Sequence, residues 1–261
     1  MTLTRDPGPL AGTAGQLVNY RIDGPAHRLL MHPFPRRVRA EFAGQTVLDT
    51  RNGMLLHETG LPPQLYVPEA DLRADLLEDT GHGTHCPFKG DASYRSIRVG
   101  ERVAENAVWA YRQPLPPASW LAGYAALYWS AADRWLDEED EAVGHLPDPY
   151  HRVDIRATSR RVRVLAGKHV IADSGKALLL SETGLPNRYY LPEQDVPANL
   201  LIPSGTRTAC PYKGRASYWS VNAGGRELAD AAWSYLDPLP ESSRIARYRS
   251  FLHDELTVEV S

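Results

Sequence analysis

Two stretches of the chain carry the same reactive side chains: Glu58, Cys86, Lys89 and Tyr94 in one, Glu182, Cys210, Lys213 and Tyr218 in the other. In CPFKG and CPYKG a thiol stands three residues before a lysine, beside a glycine free to adopt backbone angles that other residues avoid. An adjacent ammonium favours the thiolate, which makes Cys86 and Cys210 candidate nucleophiles or redox centres. The competing reading is a cysteine simply buried in a tight turn. His85 precedes Cys86 and could act as its base, but Ala209 holds that place in the second stretch. Glu58 and Glu182 each open an ETGLP string, and their expected partners are Lys89 and Lys213. Such a pair can bind a polar ligand, supply a general base, or serve as a buried ion pair that fixes the fold. Tyr94, Trp109 and Tyr111, with Tyr218, Trp233 and Tyr235, offer flat faces with polar tips, suited to a pocket wall or to the core.

The step from Glu58 to Glu182 is 124 residues (182 minus 58). The same step carries Cys86 to Cys210, Lys89 to Lys213, Tyr94 to Tyr218, Trp109 to Trp233 and Tyr111 to Tyr235 without a gap. A repeat of this length means a duplicated domain, not a solenoid. Upstream the step slips by one, since Gly44 aligns with Gly167, and a turn absorbs the difference. The expected layout is an N-terminal extension (1–36), a first repeat (37–140), a linker (141–160) and a second repeat (161–261).

Each copy reads as mainly antiparallel β. Residues 37–48 and 161–171 are Val-rich with a central glycine, which predicts a hairpin. Residues 54–57 and 177–181 predict a third strand, LYVP and YYLP a fourth closed by proline, and PEADL and PEQDV a short helical turn. The stretch after the cysteine motif predicts another hairpin, bending at Gly100 or at Gly224-Gly225. One C-terminal helix per copy, capped by Ser119 or Ser242, is expected over 118–135 and 241–253. The final LTVEVS predicts a closing strand that the first copy replaces with the acidic segment 137–141.

Composition narrows the function. With 43% hydrophobic and 23% charged residues and a net charge of -3, the chain has the material for packed cores. Its mild acidity argues against nucleic acid as a partner, because phosphate-backbone binding rests on basic patches. The two cysteines fall at equivalent repeat positions, so neither copy can close an internal disulfide, and reduced thiols favour a cytoplasmic location. The opening residues lack an apolar signal, and no run of about 18 apolar residues exists to span a membrane. No metal site is expected, since there is no C-x-x-C spacing and the histidines do not recur at matched positions. AGTAGQ near the start lacks the lysine and the preceding strand of a phosphate-binding loop, so no cofactor is expected.

Together, ETGLP-x3-Y-x-P, T-x-C-P-[FY]-K-G-x-A-S-Y and W-x-Y-x2-PLP resemble the bacterial and fungal family called domain of unknown function 427, in its tandem actinobacterial form. The resemblance covers roughly 37–140 and 161–260. It implies small β-rich domains of the tent-like class, whose relatives often hold zinc through cysteine pairs absent from this chain. The family also carries a nucleotidyltransferase-like label, for which this chain lacks a Gly-Ser followed by paired aspartates. The leading expectation is a small polar molecule bound or transformed at a Glu/Cys/Lys/Tyr pocket in each repeat. The alternatives are a non-catalytic interaction module with a protein partner and nucleotidyl transfer.

Overall fold

The computed structural model describes residues 3–4, 8–11, 19 and 21–261, and divides into two compact units, Met1–Ala142 and Val143–Ser261. The glycine-containing stretch 12–16, weighed above as a phosphate loop, lies outside the described residues. The first unit contains β1 (Leu29–Pro33), β2 (Val38–Phe42), β3 (Gln45–Thr50), β4 (Met54–Glu58), β5 (Gln64–Pro68) and β6 (Leu77–Cys86). It continues with β7 (Gly90–Val99), β8 (Arg102–Ala110), β9 (Tyr124–Leu127), β10 (Arg134–Asp137) and β11 (Asp140–Glu141). One sheet has the order β1-β4-β5-β9-β8-β7-β6 and the other β11-β10-β2-β3. The second unit contains β12 (Val153–Ala157), β13 (Val162–Ala166), β14 (His169–Ser174), β15 (Leu178–Glu182) and β16 (Arg188–Tyr190). After these come β17 (Leu201–Cys210), β18 (Gly214–Ala223), β19 (Arg226–Pro238), β20 (Ser250–Phe251) and β21 (Leu256–Val260). Its sheets run β12-β15-β16, β14-β13-β21 and β17-β18-β19-β20. The fold is mainly β and antiparallel throughout the strand pairs.

Period-two burial explains these strands. In β2 the residues Val38, Ala40 and Phe42 face the core while Arg39 and Glu41 are less buried. The β2–β3 turn needs two left-handed residues, which Ala43 (φ 49°) and Gly44 (φ 75°) supply. In the second unit Val162, Val164, Ile171, Val221 and Phe251 share one core cluster. Ile155, Leu180, Tyr190, Tyr235 and Ile245 form another, and this second cluster lies behind the functional residues.

Three expectations need correction. No α-helix occupies 118–135 or 241–253. Six-residue 3-10 helices, Pro116–Leu121 and Pro240–Ile245, occur instead, without a side-chain cap. The chain then turns through left-handed backbone at Gly123 (φ 83°) or Arg247 (φ 63°) and enters β9 or β20. The Tyr-Ala-Ala-Leu run suits a helix or a strand locally, and ladder pairing of β9 with β5 and β8 decides for the strand. Second, the first unit has its own closing strand: β10 pairs with β2 as β21 pairs with β13. Third, β6 and β17 were not foreseen, because Thr-Gly-His-Gly and Pro-Ser-Gly look like loops. Both are exposed edge strands with an irregular register against their neighbours, a form in which such residues are tolerated.

The segments read as extension and linker also contribute strands. β1 pairs with β4 through Leu29 to Glu58, and β12 pairs with β15 through Val153 to Glu182. Among the described residues no helix is long and apolar enough to cross a membrane.

Candidate functional site

In each unit the ETGLP string ends a strand and turns sharply. Leu61 and Leu185 donate their backbone N–H groups to the carbonyls of Glu58 and Glu182, at 3.0 Å in both units, over glycines with φ of 81° and 69°. Thr59 and Thr183 accept the N–H of Arg28 and Arg152 at 2.9 Å, tying the turn to the preceding strand. The carboxylates of Glu58 and Glu182 are thereby aimed inward.

The CP[FY]KG turn brings the lysines to meet them. Cys86 and Cys210 accept the N–H of Lys89 and Lys213 at 3.3 Å, and Gly90 and Gly214 follow with φ of 103° and 101°. A side chain on either glycine would lie 3.4 Å from a backbone carbonyl, that of Gln113 or Asp237. Since only the backbone is used there, Gln and Asp are interchangeable. Leu115 and Leu239 of the PLP motifs donate to the carbonyls of Lys89 and Lys213 at 3.0 and 3.1 Å. Thus held, the Lys89 and Lys213 ammonium groups donate to Oε2 of Glu58 and Glu182. All four side chains are at most 10% exposed.

The other carboxylate oxygen has a partner that sequence reasoning missed. His27 Nε2 lies 2.8 Å from Glu58 Oε1, and His151 Nε2 lies 2.9 Å from Glu182 Oε1. These histidines are 124 residues apart, so a histidine does recur at matched positions. The step is also 124 along the upstream hairpin, where β2 and β3 map onto β13 and β14 and left-handed Ala43 onto Gly167, so the one-residue slip expected from Gly44 is not present. The signal was present but lay in segments set aside as extension and linker. Each imidazole stacks on the aromatic residue of the CP[FY]KG motif, His27 on Phe88 at 3.5 Å and His151 on Tyr212 at 4.2 Å. The Tyr212 hydroxyl also accepts the N–H of Asp148 at 2.8 Å. Burial pushes the Glu182 carboxyl up, but the His151 hydrogen bond and the Lys213 charge outweigh it and hold the group at about 2.

The aromatic residues form a wall beside this triad. Trp109 and Trp233 donate Nε1 to the hydroxyls of Tyr66 and Tyr190, at 3.3 and 3.1 Å. Tyr66 and Tyr190 are fully buried, equivalent, and were not singled out from sequence. Tyr94 and Tyr218 exchange hydrogen bonds with Thr84 and Thr208 at 3.0 Å. Tyr111 and Tyr235 are buried, Tyr111 with the Lys89 ammonium 5.8 Å from its ring centre, and burial raises both phenols. In the second unit Glu182, Tyr190, Lys213, Tyr218, Trp233 and Tyr235 line one half-open cavity of about 320 Å³.

The cysteines take a different place. Cys86 and Cys210 close β6 and β17 in the same turn as the lysines, half-buried against the aromatic clusters, and Cys210 is outside the cavity lining. His85 bonds Asp91 across the strand pair at 2.6 Å, and both side chains are largely solvent-exposed. Alternation along β6 sends neighbouring His85 and Cys86 to opposite faces. Among the described residues no three His, Cys, Asp or Glu side chains form a cluster able to hold a metal ion.

The model of the family described as Domain of unknown function (DUF427) matches the chain twice, over residues 30–138 and 154–261. Both matches begin within one residue of β1 or β12, the strands that deliver His27 and His151 to the site. No curated protein matches the chain.

Proposed function

The chain belongs to the DUF427 family through both of its halves, and from that premise we propose that it binds a small polar molecule with a flat or apolar body in the cavity of its second unit. The observation that carries this reading is the cavity itself. Five residues picked out by type and spacing, Glu182, Lys213, Tyr218, Trp233 and Tyr235, line a space of about 320 Å³. That volume is at the small end of the range for organic ligands, about 300 to 1,000 Å³. Aromatic walls with a few fixed polar groups are the usual make-up of such sites.

Binding is favoured over proton transfer by the chemistry of the carboxylate. A general base works best with a pKa near the operating pH, and Glu182 is held at about 2. The pair with Lys213 orients and polarises the cavity floor, while Trp233 and Tyr218 present ring faces, with centroids 6.4 Å apart and planes at 32°.

The test is a saturation-transfer NMR screen of ring-bearing polar fragments against the full chain, repeated with Trp233→Ala and with Trp109→Ala. Hits abolished by Trp233→Ala and kept in Trp109→Ala support the reading. A screen without hits, or hits that persist in a folded Trp233→Ala variant, would overturn it.

A further inference from the structure

The cavity of the second unit is lined by eleven residues, and eight have the same identity 124 positions earlier. The three exceptions are Arg188, Asp230 and Leu252, which replace Gln64, Asn106 and Tyr128 of the first unit. These differences are not scattered in kind. Two exchange a neutral amide for a full charge, one of each sign, and the third removes a ring.

In the first unit the corresponding groups satisfy one another. Gln64 donates Nε2 to the carbonyls of Leu65 and Leu127 at 3.2 and 3.4 Å. Asn106 accepts the Thr80 hydroxyl at 2.7 Å. Tyr128 lies against Trp109 with ring centroids 4.6 Å apart and hydrogen-bonds Tyr94. His82, where the second unit has Thr206, adds an edge contact to Tyr94 at 4.6 Å. Tyr94 is buried as a result, whereas Tyr218 is half-buried.

In the second unit nothing takes the place of that ring, because Leu252 is 55% exposed at the cavity. The charges of Lys213 and Glu182 cancel in their own ion pair. Among the described residues, Arg188 makes no ion pair and Asp230 has no cationic partner. Asp230 accepts the hydroxyls of Thr206, at 2.6 Å, and Ser204, which leaves lone pairs of its four sites for another donor. The cavity therefore offers one guanidinium and one carboxylate that do not neutralise each other.

Building on the reading that this cavity binds a small molecule, we infer that its ligand is a zwitterion of amino-acid type with an apolar or aromatic body. The ligand carboxylate pairs with Arg188, whose planar fork matches a carboxylate in two parallel hydrogen bonds. The ligand ammonium pairs with Asp230. The body rests between Trp233 and Tyr218, with Leu252 at the rim. In the first unit both charges are amides and Tyr128 lies against Trp109, so the inference places the zwitterion in the second unit.

The experiment titrates full-length protein, with the Trp233 and Trp109 indole N–H signals assigned by NMR, using four probes. These are L-phenylalanine, 3-phenylpropionate, 2-phenylethylamine and benzyl alcohol. Expected is saturable movement of the Trp233 signal, with Trp109 still, and L-phenylalanine bound at least tenfold more tightly than any probe lacking a charge. Arg188→Gln should erase the preference for the carboxylate and Asp230→Asn the preference for the ammonium. Both substitutions install what the first unit carries in the same strands, Asn106 sharing the positive φ of Asp230, so the folded variants are accessible. If a singly charged or neutral probe binds Trp233 as tightly as L-phenylalanine, or if both variants keep the wild-type ranking, the zwitterion is refuted while small-molecule binding stands. If no ring-bearing probe binds at all, both fail.

Discussion

Replacing Glu182 with glutamine keeps the size of the side chain and removes its charge, leaving the Lys213 ammonium inside a residue only 8% exposed. Removing one partner of a buried ion pair costs about 3 to 5 kcal/mol, and that is the loss expected of Glu182→Gln at pH 7. The pH dependence supplies a second reading of the same quantity. Burial raises the Glu182 carboxyl, the His151 hydrogen bond and the Lys213 charge lower it by more, and the group is held at about 2 where the ordinary value is 4.5. Its folded pKa is therefore depressed, so its contribution is whole above about pH 4.5 and drains as the pH falls from there towards 2. A shift of that size corresponds to about 3 kcal/mol, reduced to about 2 kcal/mol by solvent screening at the cavity edge. Wild type should lose this amount between pH 5 and pH 2, and Glu182→Gln should not. Urea titration followed by amide NMR resolves the signals of the second unit for both proteins. A cost below about 1 kcal/mol at pH 7, or an unchanged acid slope in the variant, would refute the argument. The double change Glu182→Leu with Lys213→Met should recover part of the loss, since apolar groups commonly replace a buried pair, but it removes the acceptor of His151 and should stay about 1.5 to 3 kcal/mol below wild type.

His151→Phe keeps a ring against Tyr212 but loses the bond to Glu182, with an expected cost of about 1.5 to 3 kcal/mol and an upward move of the Glu182 carboxyl in carbon-detected titration. Gly214→Ala forces a side chain into left-handed backbone 3.4 Å from the Asp237 carbonyl, which should cost about 1 to 3 kcal/mol and lower the melting temperature of the second unit. Gly90→Ala should act alike in the first. Cys210→Ala should change ligand affinity less than twofold by NMR titration, because the thiol packs behind the turn and lies outside the cavity lining.

Much of this was legible in the sequence. Val-rich stretches around Gly44 and Gly167, and the bend at Gly100, specify hairpins through local rules alone. The Glu–Lys pairing was expected because both residues recur in the strings that the two repeats share, ETGLP and CP[FY]KG. What escaped depends on distant contacts. Tyr124–Leu127 becomes a strand only because β5 and β8 present free edges to it. The β6 strand needs β7 to hold its glycines in line. His27 and His151 stand before the first repeated string of each half, and only the pairing of β1 with β4 and of β12 with β15 brings them to the site.

Comparing the halves shows how to divide the work of their residues. The positions they share, including Glu58, Lys89, His27, Gly90 and Trp109 with their counterparts, build one device: a turn, a buried ion pair, a stacked imidazole and an indole bonded to a buried phenol. Each part supports the next, and loss of His27, Lys89 or Trp109, or of a counterpart, leaves a buried polar group without its partner and so costs stability in that half. On the proposed reading, a ligand is met by what lies on that frame. The frame is common to both halves, whereas Arg188, Asp230 and Leu252 stand at the cavity of one alone. Identity between the repeats therefore locates the frame, and on the proposed binding reading the three of eleven cavity residues that differ between them carry the specificity.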